Sequence, residues 1–271
     1  MKISKYKIYC EVIVMFNKLG FQLYTIRDFI KDKEIADAAF KSVADMGYSE
    51  CHTACIDDTD DFCADLMAKH GISIVGSHYN WDKIVNEPEK TMETHEKWGT
   101  KIVGIGGMPG TAKNTKEALD EFIALFNKTA EAYAKKGFKL SYHNHNFEFV
   151  RIDGYKTIMD KLYEGLDKAT TSFVLDTCWV AAGGGDVREW MEKLAGRIDI
   201  LHLKDITMVY EGGKLVPLMT EIGNGNIYWD GVLETAEKIG VKHYCVEQDR
   251  WPGSPLASLK MSSDFLKKYM K

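Results

Sequence analysis

Proline is scarce in this chain, at five residues in 271, and no stretch rich in Pro, Gly or Ser divides it. A linker between separate domains is therefore not expected. No apolar run approaches the roughly 20 residues that span a bilayer, so no membrane partner is expected. The six cysteines (Cys10, Cys51, Cys55, Cys63, Cys178 and Cys245) form neither CxxC pairs nor a dense framework. That argues against a disulfide-stapled scaffold and for reduced thiols. Cys51, His52 and Cys55 lie close together but match no common zinc spacing. Positive charge is also short: the net charge is −5 and no basic patch stands out, which argues against nucleic acid as a partner.

The first residues are unusual. MKISKYK is basic, and the apolar IYCEVIVMF that follows carries Glu11 and leads to no small-residue cleavage site. Residues 1–17 read as an N-terminal extension, either an extra strand or an upstream start with the true start at Met15. Residues 18–271 read as one domain, and the cytoplasm is the expected location.

What is abundant is one repeated junction: a helical pattern ends in glycine and a short apolar, partly β-branched run follows. It occurs at Gly47, Gly71, Gly99, Gly137, Gly196 and Gly240. Glycine suits the left-handed position after a helix, and such runs suit buried parallel strands. Leu19 to Tyr24 and Thr171 to Asp176 bring the strands to eight, each followed by a helical segment. Residues 115–136 place Leu119, Phe122, Ile123, Phe126, Ala130 and Tyr133 on one stripe, with Asn114 as the expected cap and Glu117 three residues on. Eight unbroken βα units predict an α/β fold, a single-domain (β/α)8 TIM barrel, over an open doubly wound sheet.

Barrel enzymes carry their sites at the C-terminal ends of the strands. Here strand 3 ends at His78, strand 5 in YHNHNFEF with His143, His145 and Glu148, and strand 6 at Asp176. Strand 7 ends in HLKD with His202, Lys204 and Asp205, and strand 8 in VEQD with Glu247 and Asp249. Any one of these has an ordinary structural explanation, such as a helix cap for Asp176 or a salt bridge from Lys204 to Asp205 or Asp249. Potential ligands ending strands 5 to 8 in succession point instead to one shared divalent cation. Lys204, among apolar strand neighbours, is expected to face substrate. Tyr24, His78, Trp179 and Trp251 are candidate walls of a sugar pocket. The glycine clusters at 104–110 and 181–186 match no phosphate-loop pattern, and no nucleotide is assigned.

From GFQLYTIRD to VEQDRW the chain resembles the sugar phosphate isomerase/epimerase family, the xylose-isomerase-like barrels. YHNHNFEF, LDTCWV, GRIDILHLKD, EIGNGNIYWDGVL and YCVEQD carry the likeness. The resemblance implies a metal held by four side chains, which carry over as Glu148, Asp176, His202 and Glu247. Better-known epimerases have a Glu at the end of strand 5 where this chain has His143 to His145, so a histidine is the alternative ligand to Glu148. They also often carry a His where this chain has Trp179.

Three carboxylates and an imidazole suit Mn²⁺, with Mg²⁺, Co²⁺ and Zn²⁺ as alternatives. The expected reaction is proton abstraction next to a carbonyl of a sugar, keto-sugar or related polyol, giving an enediolate held at the metal. His145, His143, Glu148 and Glu247 are the candidate bases, and Lys204 the donor to the developing oxyanion. The expected function is a metal-dependent isomerase or epimerase. The alternatives are a dehydratase or lyase on a keto-inositol or 3-keto-glycoside, and a non-catalytic sugar-binding or partner subunit. An endonuclease-type zinc cluster would need more ligands and a basic face. A homo-oligomer is compatible with this class.

Overall fold

A computed structural model describes residues 16–54, 60–251 and 253–270. Eight strands form the inner wall: β1 Leu19–Gln22, β2 Tyr48–Ala54, β3 Ser73–His78, β4 Ile102–Ile105, β5 Lys139–His143, β6 Thr171–Asp176, β7 Ile198–Leu203 and β8 His243–Val246. Each pairs in parallel with the next in sequence, and β1 pairs with both β2 and β8, so the sheet closes. The expected (β/α)8 barrel is the fold found. A closed sheet leaves no edge, and its strands are buried on both faces, which explains their near-continuous apolar runs.

The junction glycines mark where helices end. Gly240, at φ 76°, takes the left-handed position after the helix Trp229–Ile239, where a Cβ would be strained. The helix expected over 115–136 spans Lys116–Ala134 with its predicted stripe buried. Its cap is Thr115, whose side chain accepts the Ala118 N–H, rather than Asn114. Asn114 is itself in the right-handed helical region, ending a short turn, so it lacks the extended backbone that an N-cap needs.

Two hairpins were not expected. Arg151–Asp153 pairs with Lys156–Thr157 after β5, and Asp205–Glu211 pairs with Lys214–Thr220 after β7. The second turns through Gly212 and Gly213, both at positive φ, as a tight two-residue hairpin loop demands. The first strand ends at Gln22, earlier than Tyr24, and a 3₁₀ segment Leu23–Phe29 follows.

The main core lies between the strands and the surrounding helices. A small second cluster of Val75, Val174, Ile200 and Cys245, with Ile102 against it, fills the inside of the barrel. The expected extension at 1–17 lies outside the described residues apart from Phe16 and Asn17. Phe16 stacks on Tyr244 with ring centres 4.6 Å apart. Among the described residues, no helix is long and apolar enough to cross a membrane.

Candidate active site

The strand period places the site. Side chains two residues apart point the same way. Two residues beyond the inner cluster members Val174, Ile200 and Cys245 stand Asp176, His202 and Glu247. Register aligns them further, since Asp176 sits opposite His202 and His202 opposite Cys245 on the next strand. The apolar plug inside the barrel is therefore the floor on which these polar groups stand. Lys204, two residues past His202, rises one step higher.

His143, Asp176, His202 and Glu247 each turn one ligand atom into a common space, all within 4.8 Å of one another, and all four are buried. Asp176 Oδ2 lies 3.7 Å from His143 Nε2 and 4.0 Å from His202 Nδ1, which is 2.9 Å from Glu247 Oε2. His143 Nε2, Asp176 Oδ2 and His202 Nδ1 are buried without a hydrogen-bond partner. Buried polar atoms are nearly always satisfied, so three orphans facing one point need a partner of their own. Two imidazole nitrogens and two carboxylate oxygens fit a divalent cation.

Each member is held from behind. His143 Nδ1 faces the Gly106 carbonyl oxygen at 3.3 Å. The other Asp176 oxygen caps the following helix through the Trp179 N–H at 2.8 Å. Asn144 Oδ1 accepts the Asp176 N–H at 2.9 Å. Burial pushes His143 down to about 3, keeping it neutral, and raises Asp176 to about 6 against the opposing pull of Lys204.

Lys204 is 1% exposed and lies 2.8 Å from Asp249, 3.3 Å from Glu247 and 3.5 Å from Asp176. Burial alone would lower its pKa, but the three carboxylates outweigh burial and raise it, so it stays charged. Glu247 is likewise held well below the usual carboxylate range, against burial, chiefly by Lys204. Burial and the Glu247 charge raise Asp249 above its ordinary value. The Lys204 ammonium also sits 4.7 Å from the centre of the Trp179 ring. Asp205 takes no part: its carboxylate anchors the 223–229 loop, accepting from the N–H groups of Gly223 and Gly225 and from Trp229 Nε1.

Above this cluster opens a cavity of about 980 Å³, lined among others by Tyr24, His78, His145, Trp179, Lys204 and Asp249. The unexpected hairpin forms one wall through Met208 and Leu218. His145 Nδ1 and His78 Nε2 have no hydrogen-bond partner. Burial lowers His145 to about 3 and His78 well below its usual value. Trp251 is not part of the lining; it packs on Arg27, whose guanidinium stands 4.7 Å from its ring centre and 4.2 Å from that of Tyr24.

One expected ligand is not brought in. Glu148 lies in the turn Phe147–Phe149, past the end of β5, and its carboxylate faces back into the wall. Oε1 accepts the Tyr142 hydroxyl at 2.6 Å and Oε2 the His145 N–H at 2.7 Å. The fourth position is filled by His143, the last residue of β5, which still obeys the strand period. Burial raises Glu148 to about 7, against the pull of its two donors. Gln22 and Asn144 carry no motif, and His52 stands out in the sequence only beside Cys51 and Cys55, where the spacing matches no zinc site. His52 Nδ1 in fact lies 2.8 Å from His202 Nε2, while Cys55 lies outside the described residues.

The closed parallel barrel, with a carboxylate–histidine cluster at the C-terminal strand ends, defines a TIM barrel whose site sits where this fold carries its chemistry. The chain belongs to the xylose isomerase-like TIM barrel family, whose model matches residues 34–269. An inosose dehydratase from Lactiplantibacillus plantarum is 23% identical over 170 residues, 58% of this chain. The chain spans only 56% of the length of that curated relative. A sugar phosphate isomerase/epimerase structure from Parabacteroides distasonis superposes with a TM-score of 0.76 at 21% identity, covering 94% of this chain and 96% of the other. A xylose isomerase-like TIM barrel protein from Mycobacterium smegmatis, in complex with magnesium, gives a TM-score of 0.67 at 13% identity, covering 95% and 98%.

Proposed function

We propose that this chain is a divalent-cation-dependent isomerase or epimerase that removes the proton next to a carbonyl of a sugar, keto-sugar or related polyol. The observation that carries this reading is the convergence of His143 Nε2, Asp176 Oδ2 and His202 Nδ1, buried and without hydrogen-bond partners, beside Glu247 beneath an open cavity. Mn²⁺ remains the cation proposed, and the exchange of a carboxylate for the His143 imidazole brings Zn²⁺ and Co²⁺ closer to it as alternatives than Mg²⁺. When bound, the cation would supply Lewis-acid polarisation of the substrate carbonyl.

The remaining work falls to side chains. Lys204 carries a fixed positive charge and donates to the oxygen on which negative charge develops, in a site with little water to weaken it. His143 and Glu247, expected as bases, face the cation position, and Glu148 stands behind the wall. His145 and Asp249 are the groups left at the cavity to hold or move a proton. Asp249 has the raised carboxylate, the better basicity for this task. His145 follows β5 and Asp249 follows β8, so they flank the cavity from well-separated strands. That separation suits removing a proton on one face and returning it on the other. Tyr24 and Trp179 offer flat apolar surface to a sugar ring.

A second reading is dehydration of a keto-inositol or 3-keto-glycoside, favoured by the match to an inosose dehydratase. It shares the first proton removal, and the proton taken up by Asp249 or His145 in that step would then pass to the departing hydroxyl, which leaves as water.

The test is hydrogen exchange in D₂O with ketoses, keto-inositols and 3-keto-glycosides, using protein with Mn²⁺, protein stripped by chelator, and Glu247→Gln. Deuterium incorporated without loss of water supports the isomerase reading, and loss of water the dehydratase. No exchange on any substrate by a protein that also takes up no cation overturns both.

A further inference from the structure

Gln22, the last residue of β1, is fully buried, and each end of its amide has a distinct partner. Oε1 accepts the backbone N–H of Tyr24 at 3.1 Å. A backbone N–H can only donate, so this contact fixes which end of the amide is oxygen. The NH₂ end then lies 3.2 Å from His52 Nδ1 and 3.3 Å from His78 Nδ1. It has two hydrogens and two ring nitrogens to receive them. Both rings must therefore carry a lone pair on Nδ1 and their proton on Nε2.

His52 Nδ1 also stands 2.8 Å from His202 Nε2. With no proton on His52 Nδ1, the hydrogen in that short contact belongs to His202 Nε2, and the single Nδ1 lone pair is shared between it and the Gln22 amide hydrogen. His202 is then bare at Nδ1, the atom turned toward Asp176 and Glu247. That same Nδ1 lies 2.9 Å from Glu247 Oε2. A lone pair set that close to a carboxylate oxygen is repulsive unless a cation lies beside both.

We propose that Gln22 is a positioning residue of the cation site: by donating one amide hydrogen to each of His52 and His78, it makes His202 hold its proton on Nε2 and offer Nδ1 to the cation. The inference rests on the cation reading above, and it extends that site through His202, His52 and Gln22 to β1. It also leaves His78 with an Nε2–H donor at the cavity, available to a substrate oxygen. Partners of this kind set ligand tautomer and orientation in metal sites, and losing one typically costs about 10–100-fold in metal affinity.

The test uses the full chain with ¹⁵N-labelled histidine. Long-range ¹H–¹⁵N correlations distinguish Nδ1–H from Nε2–H rings, and Mn²⁺ affinity is measured in parallel. Wild type is expected to hold His52 and His78 as Nε2–H with and without cation, and His202 as Nε2–H once diamagnetic Mg²⁺ is bound; His52 or His78 protonated on Nδ1 overturns the proposal. Gln22→Glu replaces a double donor with an acceptor of the same shape. It should move the protons of His52 and His78 to Nδ1, drive that of His202 to Nδ1, and weaken Mn²⁺ by about 10–100-fold. Gln22→Met, which neither donates nor accepts, should leave His202 in mixed tautomers with an intermediate loss. Unchanged tautomers and affinity in Gln22→Glu overturn the relay while the cation reading stands. A wild type that takes up no cation overturns that reading, and its tautomers still decide the relay. Should a variant not fold, the wild-type spectrum decides alone.

Discussion

Glu148 Oε2 accepts the backbone N–H of His145 at 2.7 Å, tying the turn after β5 to the barrel wall through the Tyr142 hydroxyl on its other oxygen. Glu148→Gln keeps one carbonyl oxygen for the His145 N–H and turns its NH₂ on the Tyr142 hydroxyl, whose own hydrogen is then left without an acceptor. A buried donor left unsatisfied costs about 1–3 kcal/mol. The expected result is a lower urea midpoint with an unchanged slope, and far less loss of Mn²⁺ affinity than Asp176→Asn causes. Equal losses of affinity in the two variants would return Glu148 to the ligand set.

Among the described residues, Lys204 is the one ammonium beside Asp176, Glu247 and Asp249. Removing one partner from a buried charge cluster costs about 3–5 kcal/mol, because the remaining charges stay buried and uncompensated. Lys204→Met should therefore unfold at markedly lower temperature than wild type in chelator. Added Mn²⁺ should recover more of that loss than it adds to the wild type, since positive charge returns to the same carboxylates. A thermal melt with and without Mn²⁺ reads both effects, and a variant as stable as wild type in chelator would contradict the electrostatics described.

Cation binding to the folded chain should itself appear as stability. A ligand at a hundred times its Kd adds about 2.7 kcal/mol when it binds only the native state. Mn²⁺ should raise the melting temperature of wild type, and Asp176→Asn and Glu247→Gln should flatten the response. A melting curve indifferent to Mn²⁺ in wild type counts against the cation site.

The barrel was legible because its signals are local and repeated: at six junctions a glycine follows a helix, then a short apolar run. The site was legible wherever the strand period still held. Asp176 ends its strand, and His202 and Glu247 continue the inward-facing register of theirs. The period fails where the chain turns, and that is why Glu148 was expected in the place that His143 occupies. The hairpin at 205–220 was missed because it continues directly from β7. The Gly212–Gly213 pair between two strand-like runs was the signal that marks it. Gln22 and His52 carry no motif at all. They sit in register on the neighbouring strands β1 and β2, and only closure of the barrel brings His202 on β7 to the same place.

The buried pair Ser77–His95 predicts how stability depends on pH away from the site. His95 Nε2 lies 2.6 Å from Ser77 Oγ and its Nδ1 faces the Thr91 carbonyl oxygen at 2.7 Å. Burial lowers His95 from 6.5 to about 4, so the folded chain keeps it neutral where the unfolded chain protonates it. Between those values the unfolded state binds more protons, and stability must fall as pH drops from 6.5 toward 4. At 1.36 kcal/mol for each pKa unit, the full effect is about 3 kcal/mol. His95→Gln keeps a polar side chain but cannot titrate. Its stability deficit relative to wild type, measured by urea unfolding, should therefore be largest at pH 7 and shrink steadily toward pH 4. A deficit that stays constant across this range would mean that His95 takes up its proton as readily inside the fold as outside it.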